Sequence, residues 1–353
     1  MKKIKVGIVG LGRIAHMGHI KELSALPEKF EITAVCDNAP ERLENLVPEL
    51  KNVRKYTSLD DMLKDDNVDM VNICVRHLEH VPMALKILEA GKIAVVEKPV
   101  AVNLKEFDAL VAAAQKNPEK LFLRHNRRFE MGFTKAKQLI NSGVIGDVQY
   151  IKLYRSVGFC RRNDWMTMPE FYGGLLSNWG PHLIDHALQF LNYQVDSVWS
   201  ELKLLAAQGD AEDSVKIIMR GKDGLTVDIE IYGGNALAGN AYEVYGTRGA
   251  LHSSDEQDIK LRYIEPDYEL KPYPVNEGHP NGFIFADNAQ LPWRRMTVMT
   301  EPKLKVDMNS CYRYVALNLL EGQEYPIKVA EALEVVKICD IVKSQSPFYN
   351  SGK

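Results

Sequence analysis

Runs of apolar residues alternate with helix-compatible stretches through the first part of the chain. The apolar run at residues 4–9 predicts a buried strand, and a helical pattern follows it to about residue 26. Further strands are predicted at residues 31–36, 70–75 and 93–96, and further helices at residues 40–50, 58–65 and 81–90. Repeated strand and helix units imply a doubly wound parallel sheet with helices on both faces.

The pattern changes in the second part of the chain, where β-branched and aromatic residues are punctuated by turn signals. It predicts strands at residues 148–157, 198–205, 215–219, 225–232 and 242–245. Helical spacing returns at residues 310–320 and 329–343, and we expect the last helix to pack back on the first domain. A chain of 353 residues is long for one core, so we expect two α/β domains, residues 1–123 and 124–353, with a ligand site between them.

The composition favours a globular protein with a small-molecule partner. Hydrophobic residues make up 46% of the chain and charged residues 26%. The net charge of −3 and the pI near 6.3 give no electrostatic reason to bind nucleic acid or an anionic membrane. No run approaches the roughly 20 apolar residues of a spanning helix. The five cysteines are far apart in sequence and mostly inside apolar runs, which favours neither disulfides nor zinc and predicts a reducing, cytoplasmic setting.

A glycine-rich turn, Gly10-Leu11-Gly12-Arg13-Ile14-Ala15, directly follows the first predicted strand. Gly10 permits a tight turn, Gly12 leaves room for a pyrophosphate, and the small Ala15 lets the helix pack on the strand. The N-terminus of the first helix would then meet the phosphates. Such a turn is common for purely structural reasons, but its position between a strand and a helix favours a dinucleotide site.

An acidic residue follows the second predicted strand at the position that would bind a ribose. This residue is Asp37, 22 residues after Ala15. A carboxylate there would bind the ribose hydroxyls and repel a 2′-phosphate, which predicts NAD as the cofactor rather than NADP. The alternative is a loop or capping aspartate before Asn38 and Pro40.

Charged residues and histidines follow the later strands of the predicted sheet. Arg76 and His77 follow the strand at residues 70–75, and Glu97 and Lys98 follow the strand at residues 93–96. Because the carboxyl ends of parallel strands meet at one edge of the sheet, we expect all four residues at the cofactor edge.

Three further motifs accompany the glycine turn: Glu97-Lys98-Pro99, Asn126-Arg127-Arg128-Phe129, and a segment from Gly173-Gly174 to Gly180-Pro181-His182-Leu183-Ile184-Asp185. With the glycine turn they resemble the glucose-fructose oxidoreductase, inositol dehydrogenase and rhizopine-catabolism family (Gfo/Idh/MocA). The resemblance covers nearly the whole chain and is weakest at residues 253–306.

The resemblance implies an N-terminal Rossmann domain followed by an α/β domain with a large open-faced, mostly antiparallel sheet. Because that sheet often forms the oligomer interface in the family, we expect a homodimer or homotetramer. The glycine motif and the resemblance together assign the cofactor contacts to Gly10, Gly12, Arg13, Ile14, Ala15, Asp37, His80, Glu97, Lys98 and Asn126.

The oxidation of a secondary alcohol needs a base whose pKa lies near the working pH. Lys98 meets this need beside an oxidised nicotinamide, because nearby positive charge and burial lower the pKa of a lysine. The alternative is a surface lysine at a strand end. The resemblance implies a catalytic role for Lys98 and for His182.

The helix that His182 opens would place Asn178, His182, Asp185 and His186 on one face. The resemblance puts Asp185 near the substrate. Asn178 departs from the family's aspartate, and its amide can hydrogen-bond a sugar hydroxyl but cannot accept a proton at neutral pH. His182 and His186 also have the spacing of a metal pair, but no third ligand suggests itself, and we expect no metal.

Two more candidate substrate contacts, Arg162 and Trp165, precede the second signature. Trp165 could stack on a sugar and Arg162 could bind hydroxyl or acidic groups. The alternative is a basic surface loop with Trp165 filling the domain seam. Arg76 stands near where relatives have Thr-Pro, and it could contact an anion or be a solvated loop arginine. The aromatic and proline-rich stretch at residues 263–293 could line the cleft or an oligomer interface.

The leading hypothesis is an NAD(H)-dependent oxidoreductase that transfers hydride between the nicotinamide and a secondary alcohol of a sugar, sugar acid or cyclitol. Two alternatives follow from the resemblance. One is an NAD-assisted glycoside hydrolase or lyase that retains its cofactor, which Asn178 keeps open. The other is a non-catalytic dinucleotide-binding sensor, against which Lys98 and His182 together argue.

Overall fold

The computed structural model describes residues 3–158, 161–271, 291–300 and 310–350. Within these ranges the chain forms two β-sheets. The aromatic and proline-rich stretch discussed above falls largely outside the described residues, as does the start of the loop before Arg161. The helices and strands given below all lie within the described ranges.

The first sheet is parallel throughout, with the strand order β3-β2-β1-β4-β5-β6. Its strands are β1 (Ile4–Val9), β2 (Phe30–Cys36), β3 (Arg54–Tyr56), β4 (Met70–Ile73), β5 (Ile93–Glu97) and β6 (Leu121–Arg124). The helices between them are α1 (Ile20–Ser24), α2 (Pro40–Glu44), α3 (Leu59–Leu63), α4 (His80–Glu89) and α5 (Leu104–Lys116). The predicted Rossmann sheet is confirmed. Because the strand order reverses between β1 and β4, a crevice opens at the carboxyl ends of these two strands.

The second sheet has eight strands in the order β14-β13-β12-β11-β7-β10-β9-β8. They are β7 (Val148–Ser156), β8 (Val195–Lys203), β9 (Ser214–Gly221), β10 (Thr226–Tyr232), β11 (Tyr242–Gly246), β12 (Gly249–Ser253), β13 (Asp258–Ile264) and β14 (Trp293–Met299). Only the β7 and β10 pair is parallel among these strands, so the predicted mostly antiparallel sheet is confirmed.

One face of the second sheet packs on helices to form the larger core. These helices are α6 (Met131–Asn141), α7 (Leu175–Asn178) and α8 (Gly180–Phe190). Alternate residues of each central strand point into this core, such as Ile229 and Ile231 of β10, which pack with Ile184 of α8. The opposite face of the sheet carries the intervening residues.

The last three helices are α9 (Ser310–Glu321), α10 (Val329–Ser344) and α11 (Pro347–Asn350). Tyr312 of α9 is buried in the core of the first sheet. Along α10, Val336 packs on the core of the first sheet and Val335 on the core of the second. The helix α10 therefore fixes the two sheets relative to each other. None of the helices in the described ranges has the length and apolar character needed to cross a membrane.

Candidate active site

The turn after β1 requires glycine at its first position. Gly10 has a φ of +88°, and a Cβ there would lie 2.5 Å from the carbonyl oxygen of Cys74. At Gly12 a Cβ would meet no atom of the described residues within 4 Å, so this side of the turn faces open space. Arg13 and Ile14 line the same space, whereas Ala15 is fully buried against the sheet. The turn thus offers backbone N–H groups and room for a pyrophosphate.

The carboxylate of Asp37 lies just beyond the carboxyl end of β2 and is almost fully buried. It accepts hydrogen bonds from the backbone N–H of Leu11 at 2.7 Å and of Ala39 at 3.0 Å. Arg42 lies on its outer side, with Nη1 3.3 Å from Oδ2. Asp37 lines the crevice and is fixed in place, which suits a carboxylate that receives ribose hydroxyls.

One continuous cleft of about 1290 Å³ runs from the glycine turn and Asp37 to Asn178 and His182. The first-sheet end of the cleft has the residues that a dinucleotide needs, and the other end reaches the second domain. The volume exceeds that of an ordinary small-ligand pocket, so it can hold a dinucleotide and a second small molecule together.

A buried charge cluster lies beneath the middle of the cleft. Arg124 is sandwiched between the carboxylates of Glu22 and Glu97, and His19 Nε2 lies 3.0 Å from Glu97. Burial by itself would raise the pKa of Glu97, but Arg124 and His19 outweigh it and hold that pKa well below its usual range. Glu97 is therefore ionised and firmly held directly before Lys98.

The amine of Lys98 is held by one residue of the second domain. Its Nζ donates to the backbone oxygen of Asn178 at 2.9 Å and to the side-chain Oδ1 of the same residue at 3.2 Å. Burial, with added repulsion from Arg127 and Arg162, outweighs the opposing effect of Glu97 and lowers the pKa of Lys98 to about 8. Such a lysine exchanges a proton readily near neutral pH.

His182 lies on the first turn of α8 and lines the cleft with Lys98. Its imidazole is 6% exposed and meets the edge of the Trp179 ring at a centroid distance of 5.8 Å. Burial, followed by repulsion from Lys98 and Arg127, lowers the pKa of His182 well below its usual range. The ring is therefore neutral at physiological pH and able to accept a hydrogen bond.

Asp185 and His186, which the helix pattern groups with His182, lie outside the cleft. Asp185 is 1% exposed, and Arg128 donates to both of its oxygens over 2.6–3.0 Å. His186 stacks on Phe133 with the rings 3.8 Å apart. Of the four residues expected on one face, only Asn178 and His182 reach the cleft, because Arg128 draws Asp185 towards the connection between the domains.

The loop that precedes the second signature closes one side of the cleft. Trp165 packs edge-on against His77 at 5.0 Å, and the guanidinium of Arg76 lies 4.4 Å from the ring centre of Phe171. Arg162 Nε donates to Asp164 Oδ1 at 2.8 Å. Trp165, Arg162 and Arg76 all line the cleft. Trp165 thus belongs both to the domain seam and to the cleft wall, and Arg76 is stacked rather than freely solvated.

His80 and Asn126 also line the cleft, as the resemblance implies. Both ring nitrogens of His80 contact backbone oxygens, of Pro99 at 2.8 Å and of Val75 at 3.3 Å. Its side chain thus braces the two strand ends that carry Arg76 and Lys98.

Among the cleft residues that were not singled out from the sequence are Arg127, Trp179 and Glu212. Arg127 and Trp179 lie inside recognised motifs but at their variable positions. Glu212 accepts a hydrogen bond from the backbone N–H of Leu176 at 2.9 Å, and burial raises its pKa to about 7. Glu212 could not be identified from the sequence, because it is one of two adjacent acidic residues before a strand and belongs to no motif.

Two models of one protein family match successive parts of the chain. A model described as an oxidoreductase family with an NAD-binding Rossmann fold (GFO_IDH_MocA) matches residues 4–125, and the model of the GFO/IDH/MocA C-terminal domain matches residues 133–252. A myo-inositol 2-dehydrogenase of Thermotoga maritima is 24% identical over 268 residues, which cover 73% of this chain and 77% of that protein.

Solved structures share the fold over the whole chain. An NAD-binding protein from Listeria innocua superposes with a TM-score of 0.82 at 23% identity, covering 100% of this chain and 96% of that chain. The WlbA dehydrogenase from Bordetella pertussis, in complex with NADH and UDP-GlcNAcA, superposes with a TM-score of 0.75 at 22% identity and covers 100% and 98% of the two chains.

Proposed function

The chain belongs to the Gfo/Idh/MocA family of NAD-binding oxidoreductases, and from that premise we propose that it transfers hydride between NAD and a secondary alcohol of a sugar, sugar acid or cyclitol. One observation carries the proposal. Lys98, with its lowered pKa, and the neutral His182 line the same cleft as the glycine turn and Asp37. Bound NAD would supply the hydride acceptor.

Lys98 is the proposed base for the substrate hydroxyl. In its neutral form the amine has a lone pair that can take the hydroxyl proton as the carbonyl forms. Asn178 fixes the position of Nζ without adding a negative charge that would raise the pKa of the amine. The resulting ammonium is then stabilised by the two oxygens of Asn178.

His182 is the proposed partner of Lys98. Because its ring is neutral, it can hold the reacting hydroxyl by a hydrogen bond and exchange a proton with it. Its position on the first turn of a buried helix, against Trp179, limits the space in which the ring can turn. Preorganisation of this kind reduces the entropic part of the barrier.

We propose NAD rather than NADP as the cofactor. The buried carboxylate of Asp37 lies where the adenosine ribose binds in this fold, and a 2′-phosphate would bring a second negative charge against it. Arg42 is exposed on the other side of Asp37 and would partly offset that repulsion. We therefore expect a preference for NAD, with some use of NADP.

The names of two similar proteins support the substrate class. One is a myo-inositol 2-dehydrogenase and the other is a dehydrogenase in complex with NADH and UDP-GlcNAcA. Both myo-inositol and UDP-GlcNAcA carry secondary hydroxyl groups on a ring.

The first experiment is an absorbance assay at 340 nm with purified protein, NAD and a panel of sugars, sugar acids, inositols and aryl glycosides. We expect NADH to appear with one group of polyols and to be lost in Lys98→Met. Lys51→Met, which removes an exposed lysine, is the matched control and should keep full activity. The absence of NADH with every compound would contradict the proposal.

A second function is favoured by Asn178, which replaces the family's aspartate with an amide. In that alternative the retained cofactor oxidises a sugar carbon transiently and so permits cleavage of a glycosidic bond by elimination. Chromatography of the same reactions separates the two functions. Cleavage of an aryl glycoside without net NADH would establish the alternative, whereas accumulation of NADH with an intact carbon skeleton would establish the dehydrogenase.

A further inference from the structure

The catalytic end of the cleft carries a second cation, Arg127, close to Lys98 and His182. Arg127 follows Asn126 on the connection between the two domains, and its guanidinium lies 4.2 Å from the centre of the Trp179 ring. The same ring meets His182 edge-on at 5.8 Å. The guanidinium and the proposed acid/base histidine therefore contact the same indole.

The Trp179 ring packs against two guanidinium groups, that of Arg127 and that of a second arginine. The guanidinium of Arg155 also lies over the Trp179 ring, at 4.7 Å, and forms two hydrogen bonds with Glu256 of 2.8 and 3.0 Å. Because this ion pair is complete, the charge of Arg155 is compensated within the protein. Arg155 fixes the tryptophan and leaves ligand binding to Arg127.

Arg127 is only partly compensated. Its Nη1 contacts one oxygen of Glu130, whereas its Nε and Nη2 have no hydrogen-bond partner within the described part of the chain. The side chain is 19% exposed and lines the cleft. Burial, with repulsion from Arg155, lowers the pKa of Arg127 in spite of Glu130. A second anion on the free side of the guanidinium would relieve this unfavourable environment.

The carboxylates around the substrate end of the cleft are already engaged. Asp164 pairs with Arg162, and Asp213 accepts three backbone N–H groups over 2.6–2.9 Å. Burial raises the pKa of Glu212 to about 7, so a large part of it is neutral at physiological pH. At the centre, Asn178 stands where the family has an aspartate. Two carboxylates act on the charge of Arg127: Glu130, which is its hydrogen-bond partner, and Glu256, which is already bound by Arg155 and Tyr242.

We propose that the substrate is a sugar acid whose carboxylate binds the free side of Arg127. The inference rests on the proposed hydride transfer and names its substrate class. In the balanced reaction a CHOH group becomes C=O, the hydride passes to NAD to give NADH, the hydroxyl proton passes to Lys98 and then to solvent, and the carboxylate is unchanged. The free side of the guanidinium and the neutral Asn178 together favour an acid over the corresponding polyol.

The test compares acids with their neutral counterparts. Hexonates and hexuronates are assayed with NAD at 340 nm beside the matching alditols and hexuronamides. We expect the acids to have the higher kcat/KM, and Arg127→Gln to lower that value about 10- to 100-fold, the usual effect of losing a hydrogen bond to a charged group. Arg127→Lys, which keeps the charge but loses the fork, should fall between the two. The neutral compounds should fall by a clearly smaller factor than the acids, because they lose only the effect of Arg127 on the pKa of Lys98.

Arg313→Gln is the matched control, because it removes an exposed arginine on α9. It should leave the preference for acids unchanged. Calorimetric titration of D-gluconate and D-glucitol into the protein with bound NADH gives a second readout that does not need turnover. Here D-gluconate should bind, and Arg127→Gln should weaken its binding about tenfold or more.

The outcomes distinguish this inference from the proposed function. Turnover of neutral polyols at least as efficient as that of the acids overturns the sugar-acid inference and leaves hydride transfer standing. A preference for acids that survives Arg127→Gln overturns the role of Arg127. If no compound yields NADH, the proposed function fails, and the calorimetry then decides the inference: equal binding of the acid and the polyol, or no binding of either, overturns it.

Discussion

Lys98 has its amine held by two oxygens of Asn178 and its pKa lowered to about 8, mainly by burial. Only the neutral amine can accept a proton, so its fraction rises with pH until the pKa is passed. We predict that kcat/KM for alcohol oxidation rises about tenfold per pH unit below pH 8 and levels off above it. Steady-state assays between pH 6 and pH 9.5 measure this profile. A flat profile over that range would remove Lys98 as the base.

Asn178→Asp changes the charge next to Lys98 while keeping the shape of the side chain. The new carboxylate would replace an amide oxygen 3.2 Å from Nζ and would favour the ammonium form. We predict that the pH midpoint for oxidation moves up by about one unit or more, so that activity at pH 7 falls although the plateau is kept. The pH profile of the variant checks this.

Asn141→Asp, at the exposed end of α6, is the control for the change of charge. Its pH midpoint should equal that of the unmodified protein. An unchanged midpoint in Asn178→Asp as well would mean that Lys98 does not govern the profile.

The site residues that could be identified from the sequence lie in the glycine turn or directly after a predicted strand. Gly10, Asp37 and Lys98 follow predicted strands, and the topology of a parallel sheet brings them to one edge. Asp185 could not be placed in this way, because its position depends on Arg128, 57 residues earlier in the chain. Arg127 was missed for a related reason: only its packing on Trp179 shows that it faces the cleft.

At the scale of elements, the strands β1, β2, β4 and β5 of the first sheet and the strands β7 to β11 of the second sheet were predicted from the sequence. The strand predicted at residues 225–232 is β10, from Thr226 to Tyr232. The strands β3 and β6 were missed because they have only three and four residues. The strand β13 was missed although its buried Ile259 and Leu261 alternate with the exposed Lys260 and Arg262. The helix predicted at residues 40–50 ends at Glu44, and Pro48 begins a separate 3₁₀ turn because proline cannot continue the hydrogen-bond ladder.

The turn before α7 packs against Glu212, a residue that lines the cleft. Gly174 has a φ of +100°, and a Cβ there would lie 2.2 Å from Oε1 of Glu212. The same carboxyl group accepts the backbone N–H of Leu176 within α7, and α7 ends at Asn178. A displaced Glu212 would therefore disturb the helix that holds Lys98.

We predict that Gly174→Ala lowers both stability and activity, and that Gly143→Ala lowers stability alone. Gly143 has a φ of +72°, and a Cβ there would meet no described atom within 4 Å, so its variant measures backbone strain without a clash. That strain should cost about 1 kcal/mol. The clash in Gly174→Ala should at least double the loss, and kcat/KM should fall. Urea unfolding and the NADH assay measure both, and equal losses in the two variants would contradict the prediction.

At the scale of the molecule, the two sheets are joined by contacts that lie next to the cleft. The helix α10 contributes Val336 to one core and Val335 to the other, and Arg128 joins Asp185 of α8 to Glu331 of α10. Because Arg128 follows Arg127 directly, the same short connection fixes both the domain arrangement and the cation that faces the substrate. The shape of the cleft is therefore coupled to the packing of the C-terminal helix.

The outer face of the second sheet carries large aromatic residues and charges of both signs. Trp199 is 53% exposed and Tyr245 is 46% exposed. Between them, Lys152 and Glu243 lie side by side on neighbouring strands, next to the buried Asp228, which pairs with Lys216. A face with exposed rings and alternating charges can pair with a copy of itself about a two-fold axis, because each charge can then meet its opposite.

We predict that the protein is a dimer or a larger assembly that uses this face, and that the double variant Trp199→Arg and Tyr245→Arg sediments as a 39.9 kDa monomer. Leu320→Arg, at a residue of α9 that is 38% exposed, is the control and should leave the assembly unchanged. Sedimentation velocity separates these results, and a monomeric unmodified protein would contradict the prediction. Because the cleft is formed within one chain and contains neither Trp199 nor Tyr245, the monomeric variant should keep its kcat/KM. Loss of activity together with the assembly would show instead that a neighbouring copy completes the site.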